Sequence, residues 1–389
     1  MRRSIRTWRT AAALLATALL GVGCQRGQTD DQTPGAGAPT TVAPRAFRMG
    51  CTLFPSDMTL QALADVELFA KQNADVVSAH FEGVPWKEAL SGEPFHPSLI
   101  GEWDRCLHAL GPKSVIYLAA SPLDMGRANM APGRGEKEGL PIPPELAGKA
   151  LDDPLVVRAY LAYCRRAIAH FKPAYMAIGI EANELYHNNH PKWDEYVRLH
   201  KAVYTALKRE HPDLPIFATC TLHNLVNPSW NDRAGMLQAW QNLMPYNDMV
   251  ALSYYPFLSQ PGKTVRESLE WVAREFDRFG KPYTMTEMGQ IAEPLELSAP
   301  RVVLPGTPQM QAETLTQTLQ FANAHRFAFL IWFVARDYDG LWEKLKSTAP
   351  EILRIWRDCG LEDGAGRPRP ACDVWRAAFA RPLTPAAKQ

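Results

Sequence analysis

At 389 residues, with 46% hydrophobic and 21% charged side chains, the chain has the composition of an ordinary globular protein and enough apolar mass for one large core. Its formal net charge is +1, and removing residues 1–23, which hold four arginines and no acids, takes it to −3. That balance excludes the basic field of a nucleic-acid binder.

The N-terminus carries its own message. Arg2, Arg3, Arg6 and Arg9 precede an apolar run over 11–20, and Gly21-Val22-Gly23-Cys24 follows. A basic start, a short apolar stretch and small residues at the cleavage point form a secretory signal over 1–23. The run is too short to span a bilayer. Its Leu-Leu-Gly-Val-Gly-Cys ending resembles a bacterial lipobox, which implies lipid on Cys24 and an extracytoplasmic protein anchored to a bacterial membrane. Gly21 departs from the usual Leu, so a plain secreted form is the alternative. Residues 24–45 are mainly Gln, Thr, Pro, Gly and Ala, cannot bury enough apolar area to order themselves, and read as a tether.

From Phe47 onward, eight apolar runs are bounded by turn residues: 47–54, 76–82, 114–121, 175–181, 215–223, 248–256, 282–287 and 328–335. Segments with apolar residues at three- and four-residue spacing follow them, over 58–72, 99–110, 154–171, 192–210, 233–243, 264–279, 308–325 and 349–357. Lys172-Pro173, His211-Pro212 and Lys281-Pro282 each stop a helix just before a strand. Strand then helix, eight times, predicts a single-domain (β/α)8 TIM barrel over 46–382, with a tail over 383–389. Long Pro- and Gly-rich connections follow strands three (123–150) and seven (290–307), on the side where such barrels place their mouth. The segment 359–382 reads as a loop and a last amphipathic turn closing the barrel's bottom or side.

Alternation along each strand predicts which side chains point inward. In strand four, small Ala177 and Gly179 share a face that continues to Glu181, while Met176, Ile178 and Ile180 take the other. Strand two turns Ser78, His80 and Glu82 inward; strand five Thr219, Thr221 and His223; strand six Ala251, Ser253 and Tyr255. Strand seven ends in Glu287, although Thr284 and Thr286 lie on the opposite parity, and strand eight carries Trp332. Two carboxylates across a barrel mouth suit glycoside hydrolysis, in which one protonated acid helps the leaving oxygen depart and one carboxylate attacks or stabilises the sugar cation. Trp332, Tyr254, Tyr255, Trp86 and Trp342 are candidates for the flat surfaces that sugars stack on.

Glu181 ending strand four, Ser253-Tyr254-Tyr255-Pro256-Phe257 at strand six, Thr286-Glu287-Met288-Gly289 at strand seven and Trp332 on strand eight together resemble the retaining glycosidases of the (β/α)8 clan. The nearest likeness is to the arabinogalactan endo-β-1,4-galactanase family, glycoside hydrolase family fifty-three. The segment from Gly360 through Pro370 to Trp375 is similar to closing segments of several such enzymes. The resemblance implies Glu181 as acid/base, Glu287 as nucleophile, and Tyr255 or Tyr254 bonded to the nucleophile. It departs at one point: the clan's Asn before the acid/base is Ile180 here, and an Asn-Glu pair lies three residues later. Glu184 with Asn183 is therefore the alternative acid and its neighbour, and a glycan-binding surface lipoprotein with weak or absent hydrolysis is the alternative function.

The expected substrate contacts are Asn183, His80, Glu82, His223, Tyr254, Tyr255 and Trp332, with a carbohydrate as the partner of a monomeric chain. His80, Glu82 and His223 can be considered as metal ligands, but they lack a His-x-His and a lysine or aspartate partner, so neither metal nor cofactor is expected. The loop His187-Asn188-Asn189-His190 reads as sugar-contacting or solvated, and Arg336 and Asp337 as pairing with each other or with the surroundings of Glu287. After Cys24 the cysteines stand at 51, 106, 164, 220, 359 and 372 without a Cys-x-x-Cys. Cys359 and Cys372 are the expected disulfide, and Cys51, Cys164 and Cys220 small buried hydrophobes.

Overall fold

A computed structural model describes residues 43–227, 232–259, 264–298, 301–325 and 327–384. The expected signal, Cys24, most of the tether and the last five residues lie outside them. Among the described residues, no helix is long and apolar enough to cross a membrane.

The strands are β1 (Arg48–Cys51), β2 (Val76–Phe81), β3 (Val115–Ala120), β4 (Tyr175–Ala177), β5 in two pieces (Ile216–Phe217 and Thr219–Thr221), β6 (Val250–Tyr254), β7 (Tyr283–Met288) and β8 (Phe329–Trp332). All pair in parallel in chain order from β2 to β8, and β8 pairs with β1. The bridge from Thr52 to Ser78 and the 2.8 Å bond from the Asp75 N–H to the Met49 carbonyl join β1 to β2 and close the barrel. Each strand coincides with an expected apolar run, because runs buried on both faces are what a closed parallel barrel requires.

Around it stand α1 (Leu60–Asn73), α2 (Trp86–Ser91), α3 (Pro97–His108), α4 (Pro154–Phe171), α5 (Asn183–Asn188), α6 (Trp193–Glu210), α7 (Leu222–Val226), α8 (Arg233–Leu243), α9 (Val265–Phe276), α10 (Pro308–Ala324), α11 (Asp339–Leu345) and α12 (Pro370–Phe379). Their ends follow local chemistry. Asp153 accepts from the Leu155 N–H to start α4, which stops at Lys172 in a left-handed conformation (φ +45°) immediately before Pro173. Thr264 and Glu267 form a reciprocal capping box on α9, a pairing that satisfies two otherwise orphaned donors.

Two elements differ from expectation. The periodic stretch 349–357 is not the eighth outer helix: residues Glu351–Trp356 form a 3-10 turn. Its Ile352, Leu353 and Ile355 join Ile291, Leu295, Tyr338 and Leu341 in a separate apolar cluster. That cluster also takes the inner face of a hairpin, Leu295–Ser298 with Arg301–Leu304, built by the long connection after β7. The outer position goes instead to α12, whose Trp375 is fully buried and donates to the Asn73 carbonyl at 2.9 Å. The domain also begins slightly earlier than expected. Arg45 is 4% exposed, pairs with Asp75 at 2.5 Å and exchanges backbone bonds with Pro382 and Thr384, so the end of the tether and the start of the tail are pinned together.

The barrel interior is filled by Tyr117, Ala177, Phe217, Met249, Phe329 and Ile331, with Tyr117 and Phe329 ring centroids 4.8 Å apart. Their alternates, among them Leu118, Met176, Leu252, Tyr254, Leu330 and Trp332, face the helices. Two corrections follow. Tyr254 is fully buried on the helix side. Trp332 is equally buried and donates its indole N–H to the Cys359 carbonyl at 2.9 Å. Both belong to the packing between barrel and helices. Trp86 and Trp342 are buried as well. The described cysteines are all free; Cys359 lies in the separate cluster of Ile352 and Tyr338 and Cys372 in the main core, so the expected disulfide does not form.

Candidate active site

Two irregularities bring two glutamates to the barrel mouth. After β4 the ladder to β5 continues through the Ile178 N–H to Phe217 and the Thr219 N–H to Gly179, but the next bond back to Thr219 comes from Ala182. In a regular parallel ladder Ile178 would itself accept from Thr219 and Ile180 would make the return bond, so two residues are extra. Gly179 turns its Cα hydrogen toward Tyr196 and Ala218, where a Cβ would meet the Tyr196 hydroxyl at 2.1 Å. Ile180 then points into the barrel interior, contrary to the expected alternation. Glu181 adopts φ +49° and sends its N–H to Thr219 Oγ1 at 2.7 Å. A left-handed conformation costs a residue with a Cβ about 1 kcal/mol or more, and such strain concentrates where a side chain must be aimed.

The second irregularity resolves the parity conflict in β7. Leu252 pairs with Met285 but Ser253 with Glu287, so Thr286 is the extra residue. Thr284 and Thr286 bond to the Phe329 and Leu252 carbonyls at 2.9 Å each, and the bulge returns Glu287 to the mouth. Ser253 links the two acids. It is the register partner of Glu287, and its hydroxyl donates to Glu181 Oε1 at 2.8 Å. The hydrogen bond and the register together place both carboxylates beside Ser253.

Tyr255 donates to Glu287 Oε1 at 2.6 Å, the short range of a charge-assisted O–H···O⁻ bond. His80 places Nδ1 3.9 Å from Glu287 Oε2 and Nε2 3.4 Å from Glu82 Oε1. Glu82 is gripped by both guanidinium nitrogens of Arg127 at 2.9 and 3.0 Å, and Arg127 Nη2 also reaches Glu181 Oε2 at 3.4 Å. The mouth is therefore one connected network: Glu287, His80, Glu82, Arg127, Glu181, Ser253. His223, on α7, sits edge-on to Tyr255 at 6.4 Å. Burial holds its imidazole down at about 4 against the opposing pull of Glu181's charge, so it is neutral at pH 7.

Asn183 is not at the open site. It is fully buried, its amide oxygen accepting from the Thr221 N–H at 2.7 Å and its nitrogen donating to the Thr221 carbonyl at 3.3 Å. Glu184 lies beside it, partly exposed, accepting from Asn224 at 2.7 Å. Burial, against the Asn224 hydrogen bond and aided by Glu181's charge, pushes Glu184 up to about 7.

The flat apolar surfaces at the mouth come from residues that alternation or loop position supplies: Phe54, Phe257, Phe333 and Trp356, all half-buried. Tyr255 meets Phe257, Phe333 and Trp356 at ring separations of 5.8, 6.2 and 5.9 Å, and Phe54 meets Phe333 at 5.7 Å. Phe333 continues the inward series Phe329, Ile331 on β8, which was the readable signal; Arg127 sits in an aperiodic loop and gave none. The expected pairing of Arg336 with Asp337 is replaced by Arg336 to Asp65 and Glu362, and Asp337 to Arg369. Among the described residues, Glu293, Asp337 and Asp358 bring carboxylate oxygens within 4.8 Å of one another. Arg369 bridges Glu293 and Asp337 at 2.6 and 2.7 Å, and Arg357 holds Asp358 at 2.7 Å, so the cluster carries its own cations.

The sequence matches no protein-family profile and no curated protein. Solved structures are similar in fold. An exo-β-1,4-mannosidase from Opitutaceae bacterium strain TAV5 has 15% identity and a TM-score of 0.57 over 87% of this chain, which spans 60% of that protein's length. A GH5_18 protein from Streptomyces cattleya, solved in complex with Manβ1-4GlcNAc, has 16% identity and a TM-score of 0.58, covering 88% of this chain and 83% of its own. Xylanase 10B from Thermotoga petrophila RKU-1, in complex with xylobiose, has 13% identity and a TM-score of 0.55 over 88% and 98%. The likeness is one of architecture: this chain has the (β/α)8 fold that these glycosidases use, and nothing in it singles out the galactanase family.

Proposed function

We propose that the chain is a retaining glycoside hydrolase that acts on a β-linked poly- or oligosaccharide. The observation that carries the reading is the convergence of Glu181 and Glu287 on either side of Ser253, with Tyr255 oriented onto Glu287. In this reading Glu287 attacks the anomeric carbon while Glu181 gives its proton to the departing glycosidic oxygen. Water then enters, Glu181 takes its proton, and the bond from sugar to Glu287 breaks. Tyr255 holds the attacking carboxylate in line, and the half-buried rings Phe333, Phe54, Phe257 and Trp356 offer faces to sugar C–H groups. The Arg-rich start, short apolar run and Cys24 support export and a lipid anchor, so the substrate would be met outside the cytoplasm.

A second reading is a barrel that binds a glycan with little or no cleavage. It is favoured by Arg127, whose guanidinium lies 3.4 Å from the carboxyl that must deliver a proton, and by Ile180, which offers no polar group to the sugar. A screen of polysaccharides and aryl β-glycosides, run with the wild-type chain and with Glu287→Ala, separates the two. Turnover that disappears in the variant supports the hydrolase. Glycan binding without turnover in either protein supports the second reading.

A further inference from the structure

Arg127 is the deepest charged side chain that the connection after β3 sends into the mouth. The connection turns tightly at 124–129: Asp124 Oδ1 accepts from the Ala128 and Asn129 N–H groups at 2.8 and 3.1 Å, and the Arg127 N–H bonds to the Asp124 carbonyl at 2.8 Å. Arg127 itself has φ +47° and is 2% exposed. Two left-handed residues therefore face each other, since Glu181, its partner at 3.4 Å, has φ +49°.

Four further residues hold the arrangement. Glu82 takes both guanidinium nitrogens, the fork geometry that fixes an arginine in plane as well as in position. Arg134, from the same connection, donates to the Glu82 carbonyl at 2.7 Å. From the opposite side, Asn188 and Asn189 at the end of α5 donate to the carbonyls of Gly126 and Ala128 at 2.9 and 2.7 Å. Because α5 follows Glu181 by two residues, these amides tie the strand-three loop to the segment that carries the acid. The Asn188-Asn189 pair is thus a clamp on the arginine turn.

We infer that Arg127 is a positioning residue for Glu181, held in register by Asn188 and Asn189, and that it supplies the polar contact to the acid's neighbourhood that Ile180 cannot. The inference rests on reading Glu181 as a working carboxylate, and its test separates the two. The protein labelled with ¹³C at glutamate carboxyls gives a Glu181 resonance, identified by its loss in Glu181→Gln. At fixed pH this resonance is expected to move in Arg127→Met, to return most of the way in Arg127→Lys, and to move in the same direction in the double variant Asn188→Ala/Asn189→Ala, which leaves every side chain of the network in place. With an aryl glycoside that the wild type cleaves, Arg127→Met lowers kcat by about 100-fold with KM within a few-fold, the penalty of an ångström-scale misplacement, and Arg127→Lys recovers part of it. A Glu181 resonance unmoved in both folded variants overturns the inference. If Arg127→Met does not fold, the asparagine double variant carries the test by the same resonance. Movement of the resonance in a protein that cleaves no glycoside supports the positioning role and refutes the hydrolase reading.

Discussion

Replacing Tyr255 by Phe removes one oxygen and little else. The ring is 2% exposed and packed against Phe257, Phe333 and Trp356, so those contacts survive and the variant should fold. What is lost is the 2.6 Å bond to Glu287 Oε1, leaving His80 at 3.9 Å as the nearest remaining partner of that carboxylate's other oxygen. A hydrogen bond to a charged group contributes about 1.5–3 kcal/mol. If that bond holds the nucleophile in its attacking position, the loss corresponds to about a 10- to 150-fold fall in kcat. The assay is steady-state hydrolysis of an activated aryl β-glycoside, with thermal unfolding as the control for fold. Tyr254→Phe is the internal comparison: Tyr254 faces the helices, and its variant should keep kcat within about twofold, a span worth under 0.5 kcal/mol. Equal losses in the two variants, or a folded Tyr255→Phe with unchanged kcat, would refute the reasoning.

Four further outcomes are expected. Phe333→Ala should raise KM about 2- to 10-fold, the scale of one aromatic contact. Trp332→Phe should leave KM alone and cost about 1–3 kcal/mol of stability, because the Cys359 carbonyl loses its donor; urea unfolding and kinetics on both variants decide between platform and core. Glu184 is raised from 4.5 to about 7, so between those values the native state keeps a proton that the unfolded chain has released. Stability therefore falls as pH rises through that window, by about 3 kcal/mol at most. Glu184→Gln, which can still accept from Asn224, should flatten that slope in urea midpoints taken at its two ends; an unchanged slope would show that Glu184 titrates as an ordinary carboxyl. The melting temperature should not respond to a thiol reductant, because the six described cysteines are free; a fall on reduction would reveal a bridge.

The barrel was legible because strands buried on both faces must be apolar, and because Pro173, Pro212 and Pro282 punctuate the helix-to-strand joints. Inward alternation selected Ser78 and His80 on β2 with Glu82 just past its end, Thr219 and Thr221 on β5, and Ser253 on β6 with Tyr255 just past its end. It failed where a residue was inserted. Period-two reasoning cannot see a bulge, so it reached Glu181 by a path that the chain does not take and found Glu287 in conflict with Thr284 and Thr286. On β8 the inward frame runs Phe329, Ile331, Phe333, which leaves Trp332 on the helix side. Beside an acid in the sequence, Asn183 suggests a sugar contact, but an amide that fills both bonds of the Thr221 backbone stabilises a joint instead. The apolar spacing of 349–357 was real, yet an upper cluster outside the barrel uses it. Arg127 had no periodicity to betray it, since only the turn at Asp124 and the asparagine clamp bring it to the mouth.

The measurement that tests the central claim most directly is covalent trapping. A 2-deoxy-2-fluoro β-glycoside with an activated leaving group slows release of the glycosyl-enzyme, and peptide mass spectrometry then reads where the sugar is attached. The expected result is an ester on Glu287, formed in the wild type and absent from Glu287→Gln. A sugar attached to Glu181, Glu184 or any other residue, or turnover of the parent glycoside with inversion and no covalent species, would contradict the assignment.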